Sequence, residues 1–247
     1  MKLELNFSLK SMIIPLDYRK VFIAFIKKAL TEAKGGEYFE KFYRDTLAKS
    51  FSFSVVFKQP DFKKDKIILG ANQLKVLFTA IDDAQVSLIM YMAFIEQKNK
   101  AFPLPFENEM VLRTIYEKKA EKIETNKVIF KTAPGSGLCV REHNRETNGD
   151  NYYVFNDEAF TEKLFTVLRS QAERAGFNKQ VAEKIRCKPL NCKKVVVKHY
   201  GCLLNISIGM LQMEADVKLL QYFYDAGIGS RHSAGFGLVD LVAQDLF

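Results

Sequence analysis

The chain has 247 residues, 48% of them apolar, enough to bury one large core or two small ones. Lysine and arginine outnumber aspartate and glutamate 37 to 29, and a net charge of +8 suits a polyanionic partner, either nucleic acid or an anionic membrane surface. No apolar run is long enough to span a bilayer, the opening MKLELNFSLK lacks the apolar core of a signal peptide, and the four cysteines form no CxxC pair. The expectation is a soluble, cytoplasmic protein without a disulfide framework.

Leu3, Leu5, Phe7 and Leu9 alternate with Glu4, Asn6 and Ser8, the pattern of a half-buried strand. Residues 17–33 set Phe22, Ile26, Ala29 and Ala33 at helical spacing, with Lys20, Lys27, Thr31 and Lys34 on a polar stripe. Further strands are expected at 51–57, 67–69 and 74–79. Asp82 and Asp83 can cap a helix carrying Val86, Met90, Ala93 and Gln97, and 110–116 closes this half as a strand. The charged stretch 118–127 reads as a linker.

Beyond it, strand pieces at 128–131 and 138–141 flank the turn Pro134-Gly135-Ser136-Gly137, and 152–155 forms an added hairpin arm. Asn156 or Asp157 can cap a helix bearing Phe160, Leu164 and Leu168. Residues 195–199 and 202–210 form a hairpin turning at Tyr200 and Gly201. Helix 215–226 follows, with Val217, Leu220 and Tyr224 on one face. The order strand, helix, strand, strand, helix, strand thus occurs twice. It predicts an α+β fold of two tandem ferredoxin-like, RRM-like βαββαβ domains, at 1–120 and 127–247.

The last helix leads through GIGSRHSAGFG into a final strand at 236–242. A dinucleotide fingerprint needs a strand before the loop, a helix after it, and a third glycine where His232 stands; no GxxxxGK[ST] loop occurs either. What remains is a paired element, Gly227-Ile228-Gly229 and Gly235-Phe236-Gly237. Glycines without a Cβ let a phosphate backbone approach closely, and Arg231 with the hydroxyls of Ser230 and Ser233 can bond phosphate oxygens.

These motifs, with Leu5-Asn6-Phe7, Ile14-Pro15-Leu16-Asp17-Tyr18 before the first helix, the strand Phe51-Ser52-Phe53-Ser54, Val140-Arg141-Glu142 and the terminal GIGSRHSAGFGLV, resemble the Cas six family over essentially the whole chain. Members of that family are CRISPR-associated endoribonucleases that cut repeat RNA from its precursor. The resemblance implies cleavage without metal or cofactor, by attack of the RNA's own 2′-hydroxyl, leaving a 2′,3′-cyclic phosphate and a 5′-hydroxyl. It also implies a site. The family often carries a histidine shortly after the first helix, a tyrosine on that helix and a lysine further on; here Tyr43 takes the histidine's place, Lys27 the tyrosine's, and Lys49 keeps the lysine. On this reading Lys27 and Lys49 lower the Tyr43 pKa and neutralise the phosphorane.

Of the three histidines, His232 lies beside Arg231 and can reach a phosphate, His143 falls in a polar loop, and His199 shares strand parity with Val195 and Val197, as a packed, hydrogen-bonded residue would. A zinc site from Cys187, Cys192, His199 and Cys202 is disfavoured, because Cys202 is in phase with Leu204, Ile206, Ile208 and Met210 on a buried face. Arg186, Lys188, Lys193, Lys194 and Lys198 cluster before and within one hairpin, and Lys131 and Arg141 belong to the same domain. Lys194 and Lys198 share a face that can track RNA phosphates in the cleft between the two sheets. The alternative function is a non-cleaving subunit holding RNA within an effector complex, which the missing histidine favours. Monomer and homodimer both remain open.

Overall fold

The computed structural model describes residues 1–44 and 49–244. The elements run β1 (Lys2–Leu9), β2 (Ile13–Pro15), α1 (Tyr18–Glu32), α2 (Glu37–Tyr43), β3 (Phe51–Phe57), β4 (Asp61–Phe62), β5 (Lys66–Ile68), β6 (Gln73–Ala80), α3 (Ser87–Glu96), β7 (Ala101–Leu104) and β8 (Asn108–Lys118). They continue with β9 (Lys127–Thr132), β10 (Val140–Asn144), β11 (Gly149–Tyr153), α4 (Phe160–Arg174), α5 (Lys179–Glu183), β12 (Arg186–His199), β13 (Cys202–Glu214), α6 (Val217–Ala226) and β14 (Val239–Gln244). No helix among the described residues is long and apolar enough to cross a membrane.

Two antiparallel sheets organise the chain, in the orders β3-β6-β1-β8-β7 and β12-β13-β9-β14. Each has the strand order of a ferredoxin-like βαββαβ unit, so both expected units are present. Strand alternation determines which side is covered. Leu3, Leu5, Phe7 and Leu9 point under α1 and α3, where they meet Phe22, Phe25, Ile26 and Phe94. Val128, Phe130, Leu211 and Met213 point under α4 and α6, against Leu164, Leu168, Leu220 and Phe223. A third, small cluster of Cys139, Leu204, Ile206 and Phe236 ties the outer part of the β12–β13 hairpin to the glycine-rich loop.

Several local expectations are corrected. The 67–69 strand belongs to a separate three-stranded sheet, β2-β5-β4, whose strands are too short to show a period. Asp82 and Asp83 do not cap α3: the Asp83 carboxylate accepts from the Gln85 amide, forming a turn ahead of the helix. Likewise the Asp157 carboxylate accepts from the Val154 amide, and the residue preceding α4 is Ala159, without a side-chain cap. Leu138 pairs its backbone with the main sheet through an isolated bridge to Ser207, while β10 pairs with β11 as a separate hairpin. The final strand begins at Val239, Phe236 being packed in the third cluster instead. The 118–127 stretch is pinned as well as charged, with Ile123 buried and its amide donating to Gln221 Oε1 at 2.8 Å.

The hairpin of β12 and β13 turns at Tyr200 and Gly201, as expected, and the Gly201 amide donates to Asp17 Oδ2 at 3.1 Å, docking the tip at the start of α1. An extra residue in β12 between Pro189 and Cys192 makes a bulge opposite Gly209. A Cβ on Gly209 would lie 2.0 Å from the Asn191 carbonyl oxygen, so only glycine permits this close pairing. The bulge reverses the sidedness of β12, with Cys187 inward on one side of it and Val195 and Val197 on the opposite face beyond. Cys202 lies past the covered region and is exposed, contrary to expectation. Cys187 and Cys202 stand at opposite ends of this hairpin, a separation of about 3.3 Å per residue along β12 that no tetrahedral site could bridge.

Candidate nucleic-acid interface

The glycine-rich loop between α6 and β14 is built as a buckle. Gly227, Gly229, Gly235 and Gly237 all have positive φ, from 68° to 92°. A Cβ on Gly237 would stand 2.1 Å from the Ile228 carbonyl oxygen, because the two glycine pairs lie against each other with the Ile228 amide donating to Gly237 O at 2.8 Å. The amides of Gly229, Ser230 and Gly237 donate to Gln171 Oε1, Cys139 O and Gly137 O. These donors are therefore occupied within the fold. The expectation that the glycines admit phosphate to the backbone is replaced by a packing role.

The N-terminal half holds the loop from the other side. Arg19 on α1 is buried; its Nε donates to Gly235 O and its Nη2 to Gly135 O, both at 3.0 Å, while the guanidinium covers the Phe236 ring at 4.6 Å. Ser52 Oγ donates to Phe236 O at 2.7 Å. His232 is buried with its Nδ1 at 3.0 Å from Phe51 O, and burial lowers its pKa. It is thus a structural contact between the halves, contrary to the expectation that it reaches a phosphate.

What the loop does present are side chains. Ser230, Arg231 and Ser233 line a cleft of about 660 Å³ together with Lys49, Arg141, Arg145, Lys163 and Arg174. One carboxylate organises its basic groups. Asp150 on β11 accepts from Arg141 Nη2 at 2.6 Å, from Arg231 Nη2 at 3.0 Å and from Tyr152 Oη at 3.2 Å, and lies 2.8 Å from His143 Nδ1. The Arg141 hydrogen bond foremost holds the Asp150 carboxyl far below the ordinary carboxylate range. Ser230 Oγ accepts from the Arg141 amide at 3.3 Å, which fixes the loop to β10. Arg145, Lys163 and Arg174 were missed from sequence. The signal was available, since Lys163, Thr166, Ser170 and Arg174 recur at helical spacing on the face of α4 opposite its apolar stripe.

Lys27, Tyr43 and Lys49 are brought together. The Tyr43 ring stacks on Phe39, with Lys27 Nζ 5.0 Å and Lys49 Nζ 4.7 Å from its centroid. Their electrostatics differ from expectation. Burial pushes the Tyr43 phenol up, well above its usual range, so the flanking cations do not convert it to a base. Burial, aided by the charge of Lys27, moves the Lys49 pKa down. Lys49 also lines the basic cleft, which connects the trio to Arg231 and Ser233.

The sheet lysines divide between two faces. Lys131 and Lys193 share a groove of about 500 Å³ with Ile208 and Met210 on the open face of the second sheet, and Lys188 has the same sidedness through its pairing with Gln212. Lys194 and Lys198 do share a face, but it is the reverse one, in phase with Cys192 and opposite Val195 and Val197. Arg186 is partly engaged, donating from Nη1 to the carbonyls of Glu183 and Ile185. His199 is packed, as expected, against the rings of Tyr200 and Phe236, but neither of its nitrogens has a hydrogen-bond partner among the described residues, contrary to expectation.

The family described as CRISPR associated protein Cas6, C-terminal, matches residues 116–241, half of the chain. The chain belongs to the Cas6 family. No curated protein sequence matches it. Among solved structures, the chain is similar to a Cas6-related protein of Pyrococcus furiosus, with a TM-score of 0.82 and 15% identity over 99% of each chain. It is also similar to a protein described as an RAMP protein binding different RNA substrates, with a TM-score of 0.79 and 17% identity over 98% of this chain and 100% of that one. A structure of CRISPR associated protein Cas6 has a TM-score of 0.73 and 16% identity, covering 98% and 99%. At such identities these likenesses establish the fold that the Cas6 chain shares with them.

Proposed function

We propose that this Cas6-family chain is an endoribonuclease that binds and cuts CRISPR repeat RNA, through attack of the RNA's own 2′-hydroxyl on the adjacent phosphate. The observation that carries this reading is the basic cleft, in which Lys49 from the N-terminal half and Ser230, Arg231 and Ser233 of the glycine-rich loop face one cavity. Such a cavity concentrates positive charge where a phosphorane would acquire its extra negative charge. Lys49, whose proton is loosened by burial and by Lys27, is suited to protonate the leaving 5′-oxygen. Lys27 supplies a second cation, and Tyr43 orients both ammonium groups through its ring face. Lys131, Lys188 and Lys193 on the open sheet face hold flanking phosphates.

One observation favours a second reading, a repeat-RNA-binding subunit that does not cut: the phenol at the position of the family histidine keeps its proton. Incubation of the protein with end-labelled repeat RNA in EDTA separates the two. Discrete cleavage products support the nuclease, and tight binding with intact RNA supports the binding subunit.

A further inference from the structure

Cleavage by 2′-hydroxyl attack needs a base, and Tyr43 does not provide one. We propose that His143, oriented by Asp150, is the general base of the basic cleft, an assignment that rests on reading the cleft as the place where RNA is cut. His143 and Asp150 are direct cross-strand partners in the β10–β11 hairpin, and His143 Nδ1 lies 2.8 Å from Asp150 Oδ1. The other two histidines are buried, at 2% and 6% exposure, whereas the His143 side chain is 39% exposed and lines the cleft.

The tautomer follows from the neighbours. An ionised carboxylate only accepts hydrogen bonds, so the imidazole proton is on Nδ1, facing Asp150. Arg141 Nη2, 3.2 Å from the same Nδ1, is also a donor and makes no bond to it. Nε2 is then left with its lone pair and has no hydrogen-bond partner among the described residues. A carboxylate that fixes the tautomer and steadies the imidazolium formed during proton transfer is the arrangement by which a histidine acts as a base. Asp150 is itself held by Arg141 from β10, Arg231 from the glycine-rich loop and Tyr152 from β11, which fix the carboxylate against the ring.

The step balances within the cleft. Nε2 takes the 2′-hydroxyl proton as the O2′–P bond forms. The P–O5′ bond then breaks, and the leaving 5′-oxygen takes a proton from the Lys49 ammonium. The products are a 2′,3′-cyclic phosphate and a 5′-hydroxyl. Imidazolium and neutral amine return to their starting forms by proton exchange through solvent.

The test is single-turnover cleavage of labelled CRISPR repeat RNA, taken from the genome that encodes the protein, with equilibrium binding of the same RNA measured in parallel. His143→Ala and His143→Gln are each expected to lower the rate about 100-fold or more while RNA affinity changes little. Added imidazole restores part of the His143→Ala rate. Asp150→Asn lowers the rate about tenfold by releasing the tautomer. A wild-type enzyme that cuts, with His143→Ala cutting at an equal rate, overturns the assignment of His143 and leaves the cleft reading in place. A wild-type protein that binds this RNA and never cuts it overturns both.

Discussion

His199 makes the protein's stability depend on pH in a way that can be worked out in advance. The ring is 2% exposed, and burial, followed by the charges of Arg231 and Arg19, lowers its pKa from 6.5 to about 4. The unfolded chain takes up this proton as pH falls through 6.5, whereas the folded chain refuses it until about 4, so in that interval the unfolded state binds more protons and stability is lost as the pH is lowered. The separation corresponds to about 3 kcal/mol at 1.36 kcal/mol per pKa unit. Urea unfolding of wild type and His199→Leu between pH 7.5 and 4.5 measures it. Leucine forfeits the edge contacts with Tyr200 and Phe236, a pH-independent cost of about 1 kcal/mol, and no hydrogen bond. Because the carboxylates titrate alike in both proteins, the variant should gain on wild type by about 2 to 3 kcal/mol across this range. Parallel stability profiles would refute the reasoning.

Gly237→Ala places a Cβ against the Ile228 carbonyl oxygen in a left-handed backbone. It should cost about 3 kcal/mol and lower the melting temperature by roughly 6 °C or more; an unchanged melting temperature would show that the loop can move apart. Lys131→Ala and Lys193→Ala should each flatten the salt dependence of RNA binding by a slope of about 0.7, while Lys194→Ala and Lys198→Ala, on the reverse face, leave it unchanged. The opposite pattern would put the RNA on the other side of the hairpin. Lys49→Ala should lower the single-turnover rate at least about tenfold, or 1.4 kcal/mol, with little loss of affinity. Tyr43→Phe should stay within roughly threefold of wild type, since both lysines lie within 5.0 Å of the ring centroid, which phenylalanine keeps; a large loss would return the phenol to the chemistry.

The two ferredoxin-like units were legible because each sheet has one side under its helices, which writes a period of two into the burial of β1 and β9 and a period near 3.6 into α1, α4 and α6. The short strands β2, β4 and β5 leave no such trace. Acidic residues ahead of α3 and α4 looked like caps, but their side chains close local turns. The extra residue in β12 turned Lys194 and Lys198 away from Lys188 and put Lys193 on the Lys188 face instead, and a one-residue bulge is silent in composition. The glycine-rich loop was visible as a motif, yet its meaning depended on what lies opposite each missing Cβ, namely backbone from distant segments. Two parts of the site were beyond sequence alone. The burial that keeps Tyr43 protonated is a property of packing, and His143 meets Asp150 only because the β10–β11 turn sets them in register.

A single deoxynucleotide tests the central claim most directly. Once the position cut in EDTA is known, the repeat RNA is resynthesised with a 2′-deoxyribose immediately 5′ of the scissile phosphate. The account predicts that the natural RNA is cut to a 2′,3′-cyclic phosphate and a 5′-hydroxyl, while the deoxy RNA is bound with similar affinity and stays intact. Cutting of the deoxy RNA at the same position and rate would contradict it.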